Sequence, residues 1–192
     1  VMDTLRMLEF PSKYFDLVNH RLGFSYLRTW DWPNLLQKYQ WVARFNGTIR
    51  ITESDAVAVS NSPALNQFYD LLREAYYASG HLFTPDRQSV IQQLPVIMSQ
   101  QGIRDVQTRT IPFRYTAGDE HMESFYNNMV FAMRIVAPFL RKWIKVPEDY
   151  ENLCKCAFGE MQQPDFTVNW EMATAWGTNV LQNQKTPMVE HH

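Results

Sequence analysis

The apolar run "YFDLV", Tyr14–Val18, restricts the fold of this chain more than any other sequence feature. It is a compact β-type stretch whose residues are apolar except for Asp16. Unbroken runs of this kind are typical of strands that are covered on both faces, as in parallel sheets. Tyr14 lies close to the start of the chain, so the preceding residues can supply little of that cover.

A helix and a second strand follow this run after a loop rich in aromatic residues. The segment "PNLLQKYQWVAR" has apolar residues at helical spacing, with Asp31 as its predicted cap. "FNG" ends the helix, with Asn46 or Gly47 in the left-handed conformation. "TIRITES" alternates and predicts a strand with Ile49 and Ile51 on one face. A strand, a helix and a strand joined by short turns predict a right-handed crossover.

The rest of the chain predicts four more helices and two more strands. Ser62 is the predicted cap of a helix that Gly80 closes, and Thr84 is the predicted cap of one that ends at Gly102. Pro95 is expected to kink or restart the latter helix. The other segments are the strand "VQTRTIPFRYT", a helical region 120–145 bent near Pro138, a helix that begins at Pro147 and a strand at Phe166–Trp176. The order β-α-β-α-α-β-α-α-β predicts an α/β fold.

Charge, hydropathy and cysteines limit the partners of the protein. The chain has 18 Lys and Arg and 20 Asp and Glu, and its basic residues form no stripe along the sequence. No nucleic-acid partner is therefore expected. No apolar run is long enough to cross a bilayer, so no membrane partner is expected either. Cys154 and Cys156, two apart on a predicted helix, point about 200° apart, which disfavours a disulfide. Two reduced thiols favour a cytoplasmic protein, and nothing predicts a metal site.

The segment "LRMLEFPSKYFDLVNHR", followed after one helix by "FNGTIRITESD", resembles the second half of class I S-adenosylmethionine-dependent methyltransferases. In that family a "D-x-x-x-LPF-x-x-x-FDLV" segment leads into the fourth strand, and a Gly turn introduces a fifth strand that ends in an acidic residue, here Glu53. "QQGIRDVQTRTIPF" resembles the entry to the sixth strand, and "FTVNWEMATAWGTN" resembles the closing antiparallel strand. The similarity covers nearly the whole chain through the order and spacing of these segments.

The resemblance implies a partial doubly wound, Rossmann-like sheet of parallel strands plus a closing antiparallel strand, with a helical insertion before the last strand. The corresponding domain boundaries are 1–118 for the C-terminal half of the α/β domain, 119–165 for the insertion or cap, 166–182 for the closing strand and 183–192 for a tail. The tail ends in "VEHH", which resembles the remnant of an affinity tag, so His191 and His192 carry no metal prediction.

The chain departs from the family in its donor-binding half. The Gly-rich turn after the first strand, and the acidic residue that holds the ribose, should precede Asp3 and are absent. This chain is therefore expected to be a truncated, acceptor-side fragment that binds the donor weakly. The family's first strand is absent as well, so the edge of Tyr14–Asn19 is expected to pair with a second copy in a homodimer, or to be covered by another segment.

The resemblance also assigns residues to the S-adenosylmethionine site. Asp3 matches the acidic loop residue that accepts from the adenine amino group, and Thr4 and Leu5 would flank the ring. Asn19 and His20, at the carboxyl end of the fourth strand, would lie beside the methionine portion and the transferred methyl group. His20 is the most base-like side chain there and is the predicted catalytic residue. The alternative for His20 is a hydrogen-bonded structural histidine.

The acceptor side of the site is predicted from charge and aromatic residues. Arg21 is expected to bind a carboxylate or phosphate of a small-molecule acceptor, or else to pair with Asp16 or Asp31. Tyr26 and Trp30 are the predicted substrate-binding aromatic residues. Three other tryptophans belong to the same candidate pocket, with packing of the sheet against its helices as the alternative: Trp32, Trp170 and Trp176.

Two functions of different classes remain open at this point. The first is a small-molecule methyltransferase that uses S-adenosylmethionine. The second is a catalytically inactive, methyltransferase-like interaction module that associates with itself through its exposed sheet edge. An intact Gly-rich turn upstream would favour the enzyme, and its loss would favour the module.

Overall fold

The computed structural model describes residues 5–6 and 8–181, which form an open sheet with helices. The strands are β1 (Phe15–Arg21), β2 (Ala43–Ser54), β3 (Val59–Ser60), β4 (Arg104–Thr116) and β5 (Thr167–Thr178). The helices are α1 (Asp31–Val42), α2 (Pro63–Ala78), α3 (Ser89–Gln100), α4 (Met122–Ile135), α5 (Ala137–Trp143) and α6 (Tyr150–Glu160). The predicted α/β class is confirmed, with the two-residue β3 as an additional strand.

The sheet combines one parallel pair with antiparallel closing strands. β1 pairs parallel with β2, in a register that places Val18 opposite Ile49. β5 pairs antiparallel with β2 along one edge and with β4 along the other, and β3 adds a short antiparallel pairing to β5. This is the predicted arrangement of parallel strands and an antiparallel last strand.

Helix α1 forms as the apolar spacing predicts, but its start differs. Leu35, Leu36 and Tyr39 are buried on its inner face. The residue preceding the helix is Trp30, which makes no capping bond, and Asp31 accepts instead from the backbone N–H of Arg28 at 2.8 Å. The predicted Asp31 cap is therefore wrong, because its carboxylate closes the preceding loop.

The two other predicted caps have opposite outcomes. The Ser62 hydroxyl accepts from Leu65 N–H at 3.0 Å, as expected for the start of α2. Thr84 caps no helix, because its hydroxyl donates to Asp86 at 3.1 Å and α3 begins only at Ser89. Helix α3 runs through Pro95 without restarting.

The turns at Gly80 and Gly102 and the helix break lie where the sequence predicts them, and the two glycines end their helices at φ 81° and 83°. Asn46 takes the predicted left-handed conformation at φ 61°, but "FNG" does not end α1, because this helix ends at Val42 and Asn46 lies within β2. The long helical region divides into α4 and α5 at Val136, just before Pro138.

The described residues have two hydrophobic cores. The first packs α1 and α3 against the sheet through Ile49, Ile51 and Ala175. The second packs α2 with α4, α5 and α6 around Phe166 and Val168. The helical insertion before β5 therefore contacts α2 and the far end of the sheet, and leaves a cleft beside the carboxyl end of β2.

One edge of the sheet is open in the described part of the chain. β1 hydrogen-bonds to β2 alone, and Tyr14 and Leu17 beside that edge are 66% and 45% exposed. Among the described helices, none has the length and apolar character that crossing a bilayer requires. Cys154 is buried and Cys156 is exposed, and both are free thiols.

Candidate functional site

His20 lies at the carboxyl end of β1 in a sealed polar cluster. Its imidazole is buried against α1, with Nδ1 2.6 Å from the Tyr39 hydroxyl. Nε2 lies 3.3 Å from Glu53 Oε1 but without hydrogen-bond geometry. Burial, with the Tyr26 and Glu53 charges, raises the pKa of Tyr39, so this phenol stays neutral and can donate to His20.

Glu53 holds the loop that covers His20. Its buried carboxylate accepts from Gly23 N–H at 2.7 Å and from Phe24 N–H at 3.3 Å. A Cβ on Gly23 would lie only 2.1 Å from His20 Nε2, so the loop contacts the imidazole closely. These contacts describe a packed cluster in which His20 Nδ1 has a hydrogen-bond partner and Nε2 has none among the described residues. The catalytic role of His20 stays a prediction.

Asn19 and Arg21 lie on the opposite face of the sheet from His20. Alternation along a strand sends successive side chains to opposite faces. Asn19 pairs in register with Arg50, whose Nε donates to the Asn19 side chain at 2.7 Å. Arg21 is exposed beside Thr52 on that face, and it pairs with neither predicted acid. The fold thus separates His20 from the two neighbours with which it was grouped.

Tyr26, Trp30 and Leu5, the other predicted site residues that the structure describes, have different surroundings. The Tyr26 ring centroid is 6.4 Å from that of His20, whereas Trp30 packs against Gly80 with most of its surface exposed. Leu5 packs against the first hydrophobic core. Asp3 and Thr4 lie outside the described residues, so the predicted adenine contacts stay predictions.

An aromatic cleft of about 480 Å³ lies beside the carboxyl end of β2, between the sheet and α4. The loop from β2 to β3 forms one wall, and α2, α4, β4 and β5 contribute side chains. Its aromatic and polar lining consists of Asp55, Tyr69, Tyr115, His121, Ser124, Phe125, Asn128 and Trp170.

Trp170 organises the aromatic wall. Its ring stacks on Phe125 with centroids 6.2 Å apart and meets Tyr115 edge to face at 4.8 Å. Phe113, opposite Trp170 in the register of β4 and β5, stacks on it at 5.7 Å. Trp170 was among the tryptophans considered for a pocket, and it does line one. Trp32 instead is fully buried in the first core, as the packing alternative predicted.

Asp55 lies in the wall of this cleft, but its carboxylate is completely buried. Oδ2 accepts from Glu171 N–H at 3.0 Å and lies 3.7 Å from Arg87 Nη1. Oδ1 has no hydrogen-bond partner among the described residues. Burial raises the pKa of Asp55, helped by the Glu171 charge, while the Glu171 N–H and Arg87 act in the opposite direction.

Sequence reasoning missed Asp55 as a site residue. Two acids, Glu53 and Asp55, end or follow β2, and only Glu53 matched the motif of the resembled family. The position of Asp55 just after the carboxyl end of a parallel strand was the available signal, because ligands bind there in open α/β sheets. Among the described residues there is no cluster of three or more His, Cys, Asp or Glu that could hold a metal ion.

Comparisons with known proteins give structural likenesses alone. No family model and no curated protein matches the chain. It is similar to the phosphoethanolamine N-methyltransferase 2 of Haemonchus contortus, solved with phosphomonomethylethanolamine and S-adenosylhomocysteine, at 16% identity and a TM-score of 0.40. That match covers 90% of this chain and 36% of the other. The same enzyme solved with S-adenosyl-L-methionine matches at 15% identity and a TM-score of 0.40, covering 90% of this chain and 35% of the other.

The YcgJ protein of Bacillus subtilis is a further likeness, at 15% identity and a TM-score of 0.46, covering 93% of this chain and 69% of the other. This chain therefore spans about a third of the Haemonchus enzyme and about two thirds of YcgJ. Identities this low and TM-scores below 0.5 assign no activity. The predicted α/β fold of parallel strands plus a closing antiparallel strand is confirmed by the sheet itself, with parallel β1 and β2 and an antiparallel β5 between β2 and β4.

Proposed function

We propose that this chain is the acceptor-side part of an S-adenosylmethionine-dependent methyltransferase that acts on a small molecule in the cytoplasm. The observation that supports this proposal is the aromatic cleft at the carboxyl end of the parallel strand pair. Open α/β sheets bind ligands at that end. A volume of about 480 Å³ lies within the range of small-molecule sites.

The cleft adjoins the strand ends that the resemblance assigns to the methionine portion of the donor. Glu53 belongs to the His20 cluster and Asp55 to the cleft, and two residues span at most about 7 Å. The resemblance assigns Asn19 and His20 to the cofactor, but their side chains leave the end of β1 on opposite faces of the sheet, so the two do not form one cofactor site among the described residues. Bound S-adenosylmethionine supplies an electrophilic methyl carbon, and the protein's task is to hold the acceptor in line with it.

The chemistry left to the chain is orientation of the acceptor. The aromatic side chains of α2, α4, β4 and β5 line the cleft that receives it. In this proposal His20 supports the loop at Gly23, which packs against its imidazole. It does not contact the acceptor, because Tyr39 and Glu53 surround the ring.

Methyl transfer from radiolabelled S-adenosylmethionine tests the proposal. The protein at its natural length should transfer label to a component of a small-molecule extract, and Phe125→Ala should reduce transfer at least tenfold because it opens the cleft wall. Phe131→Ala, on the exposed face of α4, is the matched control and should not. Calorimetry should show weak or no donor binding by residues 1–192 alone. Absence of transfer, with donor binding intact, would contradict an enzymatic role.

A specific observation favours the second candidate, a self-associating interaction module. The outer edge of β1 has no strand partner among the described residues, and Leu17 is exposed there. Such an edge is a template for a second copy. Sedimentation should give a homodimer that Leu17→Lys converts to a monomer, whereas Phe131→Lys leaves it intact. A monomer at all concentrations would rule this association out.

A further inference from the structure

We propose that Arg21 and Arg50 bind the carboxylate or phosphate of a small organic anion, whose apolar part packs on Ile111, Phe113 and Met172. These residues line a groove on the face of the sheet away from α1, here called the sheet groove. The inference does not rest on the proposed function. Among the described residues, the sheet groove and the aromatic cleft have no lining residue in common.

The sheet groove is built on strands, which fixes the positions of its side chains. It has a volume of about 250 Å³ and takes residues from β1, β2, β4 and β5. The parallel register places Asn19 beside Arg50 and Arg21 beside Thr52, so the two arginines are diagonal neighbours on adjacent strands. Diagonal neighbours in a sheet are close enough for long side chains to reach one ligand.

The charge of the sheet groove is positive and uncompensated. Arg21 and Arg50 are exposed, and none of the described residues that line the groove is acidic. The arginines that pair with an acid in the described part of the chain are Arg44, Arg73 and Arg87. The whole chain has a formal charge of −2, so this local positive charge does not follow from a basic composition. An anion is attracted to such a site and a cation is repelled.

Arg50 is already positioned for an oxyanion. Its Nε donates to the Asn19 side-chain oxygen at 2.7 Å, which is the one hydrogen bond of this guanidinium within the described residues. The remaining N–H groups are arranged as a fork that matches a carboxylate or a phosphate. A side chain held at one nitrogen loses less freedom when a ligand binds, so Asn19 lowers the entropic cost of anion binding.

The apolar side of the sheet groove selects an organic anion over an inorganic one. Ile111 is 42% exposed and lies opposite Met172 in the register of β4 and β5. Phe113 is half-buried and is held by its stack on Trp170. Covering this surface with the carbon atoms of a ligand adds a hydrophobic contribution that a bare phosphate or acetate lacks. The volume is below that of typical drug-sized sites, so the ligand is small.

An NMR titration of the protein at its natural length, without any methyl donor, tests the inference. The reporters are the arginine Nε–H signals, and the probes are phenylacetate, phenyl phosphate, acetate and benzylamine. Phenylacetate or phenyl phosphate should shift the Arg21 and Arg50 signals and bind at least tenfold more tightly than acetate. The tighter of the two identifies the anionic group, and benzylamine should shift neither signal.

Two results of the titration would overturn the inference. One is the absence of a shift with both aromatic anions at millimolar concentration, which is also the result expected if a second copy or another segment covers the sheet groove. The other is equal binding of the aromatic anions and acetate.

Variants assign the binding to the sheet groove. Arg50→Gln and Arg21→Gln should each weaken binding of the tighter anion at least fivefold, whereas Arg134→Gln, at an exposed position of α4, should leave it unchanged. Ile111→Thr should reduce the preference for that anion over acetate at least twofold. All four positions are exposed, so the variants should fold. Equal weakening by Arg50→Gln and Arg134→Gln would mean that the anion binds without a specific site.

Discussion

Glu53 and Asp55 are two buried acids only two residues apart, and the fold treats them differently. Both side chains are completely buried. Both oxygens of Glu53 accept from backbone N–H groups, at Gly23 and Phe24, whereas Asp55 has one oxygen without a partner. The comparison teaches that burial alone does not mark a functional carboxylate. The satisfied acid maintains a loop, whereas the other acid keeps one oxygen that is closed to solvent and has no partner among the described residues.

Removal of Glu53 should give the largest loss of folding stability if this acid is structural. Glu53→Ala leaves two buried N–H groups without an acceptor and creates a cavity, so we expect it to lower the free energy of unfolding by about 3 kcal/mol. Urea denaturation measures this. Exposed Glu151→Ala is the control, with an expected change within about 0.5 kcal/mol. A tolerated Glu53→Ala would remove the contrast between the two acids.

Crowding the loop at Gly23, which Glu53 holds, should give the next largest loss of folding stability. A Cβ at Gly23 would meet His20 Nε2 at 2.1 Å and Leu27 Cδ1 at 2.9 Å, so Gly23→Ala should destabilise the protein by about 2–3 kcal/mol. Gly159→Ala in the exposed part of α6 meets no atom within 4 Å and should instead stabilise by about 0.5–1 kcal/mol. Thermal unfolding of both variants separates the two signs. Similar shifts in both would show that the loop at Gly23 can adjust.

His81 extends the comparison to a buried base. Its Nδ1 lies 2.6 Å from Ser79 Oγ and 2.8 Å from Arg28 Nη1. Burial, followed by the Arg28 charge, lowers the pKa of His81 to about 4. Between pH 6.5 and 4 the unfolded chain therefore binds more protons, and the folded state loses stability as the pH falls.

We expect this loss to reach about 2 kcal/mol between pH 7 and pH 4.5. His81→Gln cannot be protonated, so the loss should be smaller by that amount in the variant. Urea denaturation of both proteins at the two pH values gives the difference. Parallel pH profiles for the two proteins would mean that His81 is protonated equally easily in the folded and unfolded chains.

Asp55→Asn should give the smallest effect on stability, and with the opposite sign. Because the folded pKa of Asp55 is raised, the carboxylate costs stability as the pH rises through that pKa. The amide removes this cost, so Asp55→Asn should stabilise the protein at pH 7.5 and do so less at pH 4.5. Denaturation at both pH values checks this prediction. A destabilised variant at pH 7.5 would place Asp55 with Glu53, as a structural acid.

Several features of the fold could be predicted because they depend on short stretches. The alternation of "TIRITES", the apolar spacing of α1 and the break before Pro138 each reflect local preferences of the backbone. The caps show where this fails. Ser62 caps α2, but Asp31 closes a loop with Arg28 and Thr84 bonds to Asp86, because these side chains found other partners nearby.

The candidate site was less predictable than the fold. Asn19, His20 and Arg21 are consecutive, yet the pleat of β1 places His20 against α1 and the other two side chains on the opposite face of the sheet. Asp55, Phe125 and Trp170 come from distant segments that meet only when α4 packs over the sheet. A pairing in space between residues so far apart leaves no local pattern in the chain.

The amino-acid order alone determined which segments are strands and helices, and that an apolar strand near Tyr14 is followed by a crossover and an antiparallel closing strand. It could do so because backbone preferences and apolar periodicity act over a few residues. Only the tertiary structure decided that Glu53 is satisfied and Asp55 is not. The groups that reach each carboxylate are set by how the Gly23 loop, β5 and the segment at Arg87 pack around the carboxyl end of β2.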